Sequence, residues 1–134
     1  MRAKLGFVLA GLFGLALTLP ASAHHAHGNY AAEFGDLQGV VKEVHFLNPH
    51  SWIYLDVKND KGEVETWAIE ATGRGQLERM GAADGKYIKP GDTIKARCHF
   101  LRDGSTGCLA GFIKARDGSV KDWDGGDAKP EGEF

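Results

Sequence analysis

Ser51-Trp52-Ile53-Tyr54-Leu55-Asp56-Val57 is the stretch on which the fold turns: Ile53, Leu55 and Val57 fall on one face, Trp52, Tyr54 and Asp56 on the other. A period of two sends successive side chains to opposite sides of an extended chain, so this is a strand with one face against a core. The polar turn Lys58-Asn59-Asp60-Lys61-Gly62 ends it. Val64 to Glu70 follows as a further strand carrying Trp67 and Ile69 on one side, and the two make a hairpin.

Working outward, Leu37 to Phe46 predicts an earlier strand, with Val40, Lys42, Val44 and Phe46 alternating against Val41, Glu43 and His45. Downstream, Arg74 to Met80 breaks the pattern; Leu77 and Met80 are three apart, the spacing of one or two helical turns. Lys89-Pro90-Gly91-Asp92 is a turn, because proline presets one dihedral and glycine accepts a positive one. A fourth strand passes through Thr93, Ile94, Ala96, Cys98 and Phe100, and a fifth runs from about Gly107 to Ala115. The expected fold is mainly β: a small five-stranded OB-fold-like barrel with one short helix between strands 3 and 4. Gly39 suits the sharp coil that lets the first strand serve both halves of such a barrel.

The ends of the chain read differently. Met1-Arg2-Ala3-Lys4, the apolar run Leu5 to Leu19, Pro20 and Ala21-Ser22-Ala23 have the form of a signal peptide, cut between Ala23 and His24. The apolar run is short for a membrane span, which needs about 20 residues. Residues 1–23 are thus expected to be a signal, 24–36 a histidine-rich arm with Tyr30 and Phe34 as anchors, 37–120 the barrel, and 121–134 an acidic flexible tail. Cleavage implies a periplasmic or secreted protein with no span after signal removal. Losing Arg2 and Lys4 takes the formal charge of −2 to −4. Such a chain lacks the basic stripe that a phosphate backbone requires, so nucleic acid is not an expected partner.

Two cysteines in an exported chain invite pairing. If Arg102-Asp103-Gly104 is a three-residue hairpin loop, Cys98 lies directly opposite Cys108; a two-residue Asp103-Gly104 turn instead sets Cys98 across from Leu109. A disulfide, two reduced buried thiols, or a soft metal site of Cys98 with His99 are the readings.

The histidines point to metal. A free amino terminus on His24 offers amine and imidazole to one ion, and further nitrogens from His25, His27, His50 or His45 would make the tetragonal all-nitrogen set that suits Cu(II), with zinc as the other metal expected. The bland alternative is a solvated histidine tip that binds metals adventitiously. Asn48-Pro49-His50 is a stiff turn from which His50 projects at a defined place; as a purely structural element, Asn48 caps the turn and His50 bonds a backbone carbonyl. Trp52, Tyr54 and Trp67, with Asn48 and Pro49, form the alternative ligand or partner-protein surface, since aromatics on such a face stack on ligands; equally, a strand tryptophan covers a barrel end. Asp56, Glu65 and Glu70 show no acid–base spacing. No nucleophile elbow, zinc-protease motif or phosphate loop is present, so no enzymatic activity is expected.

Ala23-His24-His25, Ala32-Glu33-Phe34, Phe46-Leu47-Asn48-Pro49-His50-Ser51-Trp52-Ile53-Tyr54, Trp67-Ala68-Ile69-Glu70 and Lys89-Pro90-Gly91-Asp92 together resemble a group of small exported bacterial proteins known as a domain of unknown function, number six-one-five-two. The likeness spans the chain from the cut to about Val120. It implies a periplasmic β-barrel and carries no activity over to this chain. Ala26-His27-Gly28-Asn29 and the cysteine pair depart from that pattern. The functions in view are a copper-binding module, a ligand or partner barrel with the arm as its lid, and a copper-dependent oxidase, for which the domain is small.

Overall fold

In the computed structural model, which describes residues 28–126 and 128–134, the chain runs β1 (Tyr30–His45), β2 (Ser51–Lys58), β3 (Val64–Ala71), α1 (Arg74–Arg79), β4 (Thr93–Leu101), β5 (Gly107–Lys114) and β6 (Val120–Asp122). The expected signal and His24, His25 and His27 lie outside the described residues. The strands hydrogen-bond in the order β3-β2-β1-β4-β5-β6, all antiparallel, and β3 also pairs with β5 in parallel. The first five strands therefore form a closed circuit of pairings, the OB-like connectivity, and α1 sits between β3 and β4. No helix among the described residues is long and apolar enough to cross a membrane.

The hairpin of β2 and β3 forms as its alternation requires. Ile53 faces Ile69 and Leu55 faces Trp67 across the ladder, and Ile53, Leu55 and Ile69 are fully buried. Leu37, Val41, Ile94, Ala96, Ala110 and Ile113 complete the same core, with Leu77 of α1 closing it. Each large aliphatic side chain buried there contributes roughly 1.5–3 kcal/mol.

Strand β1 departs from a uniform alternation. The register slips between Val41 and Glu43, so Lys42 is an extra residue that reverses the faces: Val41 and Val44 point to the core, whereas Val40 is exposed. Its length also differs from expectation. Tyr30 to Asp36, expected in the arm, pair with β4 from Leu101 to Arg97. Phe34 stacks on His99 at 4.0 Å, and Asp36 takes two hydrogen bonds from Arg97, at 2.8 and 2.9 Å; these contacts recruit a segment rich in alanine and glycine that alternation alone does not mark. A Cβ at Gly39 would overlap the backbone carbonyl oxygen of Asp56. Glycine here lets β1 and β2 approach where β1 turns from one partner to the other.

The sixth strand corrects the expected count of five and the expected tail. Val120–Asp122 pairs with β5, and Trp123 is fully buried beside Phe46 and Tyr87. Its backbone is tied on both sides, by Trp123 N–H to Gly111 O and by Thr72 N–H to Trp123 O. Beyond it, Asp122 accepts from the backbone of Asp124 and Ala128, and the last residues return across β4 and β5. Arg97 donates to the carbonyls of Glu131 and Glu133, and Lys114 to that of Phe134.

Cys98 and Cys108 form a disulfide with Cα atoms 5.8 Å apart. The register differs from the expected one: Cys108 faces Phe100 and Cys98 faces Ala110, because the loop between Leu101 and Gly107 is longer than three residues. The sulfurs meet diagonally, on one face of the hairpin. Gly111 is left over between Ala110 and Phe112 as a bulge in the same ladder.

Two expectations follow for stability. Gly39→Ala places a methyl against the Asp56 carbonyl and costs about 1–3 kcal/mol, read as a lower urea midpoint. Replacing both cysteines by alanine costs about 2–3 kcal/mol, the value for so short a loop, and reductant lowers the wild-type midpoint to match.

Candidate functional site

The connection from β1 to β2 is fastened to the start of α1. Arg74 N–H donates to Leu47 O at 2.8 Å, Gly75 N–H donates to Asn48 Oδ1 at 3.3 Å, and buried Ser51 links its hydroxyl to Leu47. A Cβ at Gly73 would come within 2.7 Å of both Asn48 Oδ1 and Pro49 O, so glycine is required for this close contact. Asn48 thus spends its acceptor on the helix backbone. The peptide bond from Asn48 to Pro49 is cis.

His50, at the end of this connection, does not bond a backbone carbonyl. Its Nδ1 is paired with Glu70 Oε1, and the other carboxylate oxygen accepts a hydrogen bond of 2.5 Å from the Tyr30 hydroxyl. A carboxylate only accepts, so Nδ1 carries the proton. In the neutral ring Nε2 then holds a free lone pair. Glu70 is 14% exposed in its side chain and His50 42%, which places the shared carboxylate inside and the imidazole at the surface. Three segments far apart in sequence meet there: the start of β1, the β1–β2 turn and the end of β3.

The other sequence-expected residues divide between two faces. Across the ladders, Trp52 lies between His45 of β1 and Glu70 of β3, and Tyr54 between Glu43 and Ala68. His45 bonds Glu43 at 2.8 Å and meets Tyr54 edge-on, with ring centroids 5.5 Å apart. His45 and Glu70 are thus two strand spacings apart, roughly 10 Å. Trp67 is on the opposite face, packed against the core and Phe100, so it does not join Trp52 and Tyr54. Among the described residues no three His, Cys, Asp or Glu side chains gather as a metal site. The disulfide leaves no thiol for a site with His99, whose ring lies on Phe34 with Nδ1 3.2 Å from Glu33 O.

Glu70, and the bond that joins Tyr30 to it, are the parts of this candidate site that motif reading misses. The signal for Glu70 lay in the register of the hairpin: a turn over Asn59 to Gly62 sets Trp52 against Glu70 and so brings His50 beside it. Tyr30 is expected as an anchor of the arm, but nothing local gives its partner, which is 40 residues away.

The Tyr30 phenol is held above its ordinary value near 10, first by burial, then by the hydrogen bond to Glu70 and the charge of that carboxylate. The fold favours the neutral phenol. Its contribution is therefore fully present below pH ~10 and is lost as pH rises through the folded group's higher value. The stability advantage of wild type over Tyr30→Phe, measured by urea unfolding, should shrink above pH ~10; an advantage independent of pH would contradict the arrangement.

No curated protein matches the sequence. Crystal structures of the mitochondrial single-stranded DNA binding protein Rim1 from S. cerevisiae are similar to this chain. One has a TM-score of 0.47 at 9% identity, covering 64% of this chain and 93% of that one. A selenomethionine-labelled form gives 0.45 with the same identity and coverage. The model of the family of unknown function DUF6152 matches residues 14–110, well over half of the sequence, and this protein belongs to that family.

Proposed function

We propose that this chain is an exported, non-enzymatic metal-binding protein of the periplasm, built on an OB-like barrel of the first five strands. It holds a divalent metal, Cu(II) in preference to Zn(II), through His50 Nε2 and the histidines expected behind the signal: His24, His25 and His27. The observation that carries this reading is the Glu70 carboxylate on His50 Nδ1. Histidine ligands are commonly fixed in this way, because a carboxylate on one ring nitrogen sets the tautomer, orients the ring and raises the basicity of the other nitrogen. His27 is three residues ahead of Tyr30, a reach of roughly 10 Å at ~3.4 Å per residue. An all-nitrogen donor set favours copper. His45 is left out, since it is paired with Glu43 and faces Tyr54. The Cys98–Cys108 bond fits an oxidising compartment.

A second reading rests on the adjacent outward aromatics Trp52 and Tyr54 beside exposed Leu47, Asn48 and Pro49, a surface for a small ligand or a partner protein. Trp67 has no part in it. The acidic balance of the chain argues against nucleic acid in either reading.

Cu(II) titration of the processed protein separates the two. Metal binding predicts a visible absorption band that changes, and an affinity that falls about tenfold or more, in His50→Ala and when an extra residue precedes His24. If both changes leave the spectrum and affinity intact while Trp52→Ala abolishes recovery of a periplasmic partner, the second reading replaces the first.

A further inference from the structure

We infer that the outer face of β4 and β5 is a docking groove for an extended acidic peptide bearing an apolar side chain, and that residues 128–134 are its resident occupant, displaced when a partner's segment enters. The inference is independent of the metal reading. This face concentrates positive charge in a chain whose formal charge is −2. Lys95 stands directly opposite Lys114 across the ladder, and Arg97, two residues further along β4, adds a third cation on the same side. Like charges opposed across a ladder destabilise a bare sheet. An anionic cover relieves them.

Residues 128–134 supply that cover but leave part of the seat empty. Arg97 donates to Glu131 O at 2.7 Å and to Glu133 O at 3.1 Å, and Lys114 donates to Phe134 O at 2.8 Å. The Phe134 ring lies 4.6 Å from the Arg97 guanidinium. Phe34, which stacks on His99 and adjoins Phe112, nevertheless stays 48% exposed. A cavity of about 620 Å³ is bounded by these two phenylalanines and Arg97 on one side and by Ala128, Lys129 and Glu131 on the other. The resident segment brings no large apolar side chain to it. A partner peptide that keeps the acidic run and adds such a side chain here covers surface that the resident leaves wet. Extended peptides are commonly recognised in this way, by main-chain bonds together with a pocket for one side chain.

The resident can leave at low structural cost. Trp123 is buried and its backbone bonded on both sides, so the chain is anchored just ahead of Gly125, whose φ is 102°, and Gly126. Departure breaks the bonds to Arg97 and Lys114 and that of Ala128 N–H to Asp122. It undoes no strand pairing.

The test uses the full chain and two labelled heptapeptides, one with the sequence of residues 128–134 and one with leucine in place of its alanine. Fluorescence anisotropy gives the affinities, and amide exchange reports on 128–134 against 120–123. Both peptides are expected to bind, more weakly as salt is added, and the leucine peptide about tenfold more tightly. At saturation, exchange speeds up over 128–134 and is unchanged over 120–123. Phe134→Ala, which loosens the resident, strengthens peptide binding about two- to fivefold. Arg97→Gln and Lys114→Gln each weaken it about tenfold or more; Lys114→Gln decides the matter should Arg97→Gln fold poorly. Affinity unchanged in both of these variants, or no binding at millimolar peptide even in Phe134→Ala, overturns the groove. Exchange over 128–134 unmoved at saturation overturns displacement. Single-stranded oligothymidylate binding more tightly than either peptide assigns the face to a nucleic-acid strand and overturns the peptide reading.

Discussion

One strand has to bond two different neighbours along its length, and the rest of the structure is arranged around that demand. β1 uses Tyr30 to Val40 against β4 and Val40 to His45 against β2. Gly39 stands where the exchange occurs, and the extra residue Lys42 follows three positions later. Without a side chain at 39 the two strands can close on each other; with the bulge at 42, Val44 is turned back to the core after Val41. The circuit through β3 and β5 closes only because β1 makes both sets of bonds.

The same strand sets the two ends of the candidate site. Its first residue supplies the phenol on Glu70, and its last residue, His45, stands beside Trp52 on the outer face. The β1–β2 turn is then pinned to α1 through Leu47 and Asn48, which leaves His50 as its projecting group. Glu70 is the convergence point: a mostly covered carboxylate with one oxygen taken by the Tyr30 hydroxyl and the other by His50. Burying a carboxylate is unfavourable unless its acceptors are satisfied, and here both are.

Much of this was legible from the residues. Period two over Ser51 to Val57 and Val64 to Glu70 located the central hairpin, and proline with glycine at 90 and 91 located the start of β4. Cys98 and Cys108 are found on one face because both positions are even in a ladder whose register sum is even, although that register is not the expected one. What escaped reading has physical causes. Tyr30 to Asp36 is rich in alanine and glycine with no clean alternation, and it becomes strand through a stacked histidine and a two-pronged arginine contact supplied from β4. Trp123 follows a strand of only three residues, too short for any periodicity. The bulges at Lys42 and Gly111 each shift the faces by one residue; a lysine announces no slip, whereas an isolated glycine in a strand is a general sign of one.

The return of the last residues over β4 and β5 rests on Arg97 and Lys114 gripping main-chain oxygens of Glu131, Glu133 and Phe134, with the Arg97 guanidinium also over the Phe134 ring. A hold on the peptide backbone is indifferent to spelling. The carboxylates of Glu131 and Glu133 are not what fastens the strap, so mutation can rewrite those letters as neutral ones while the path of the chain stays as it is.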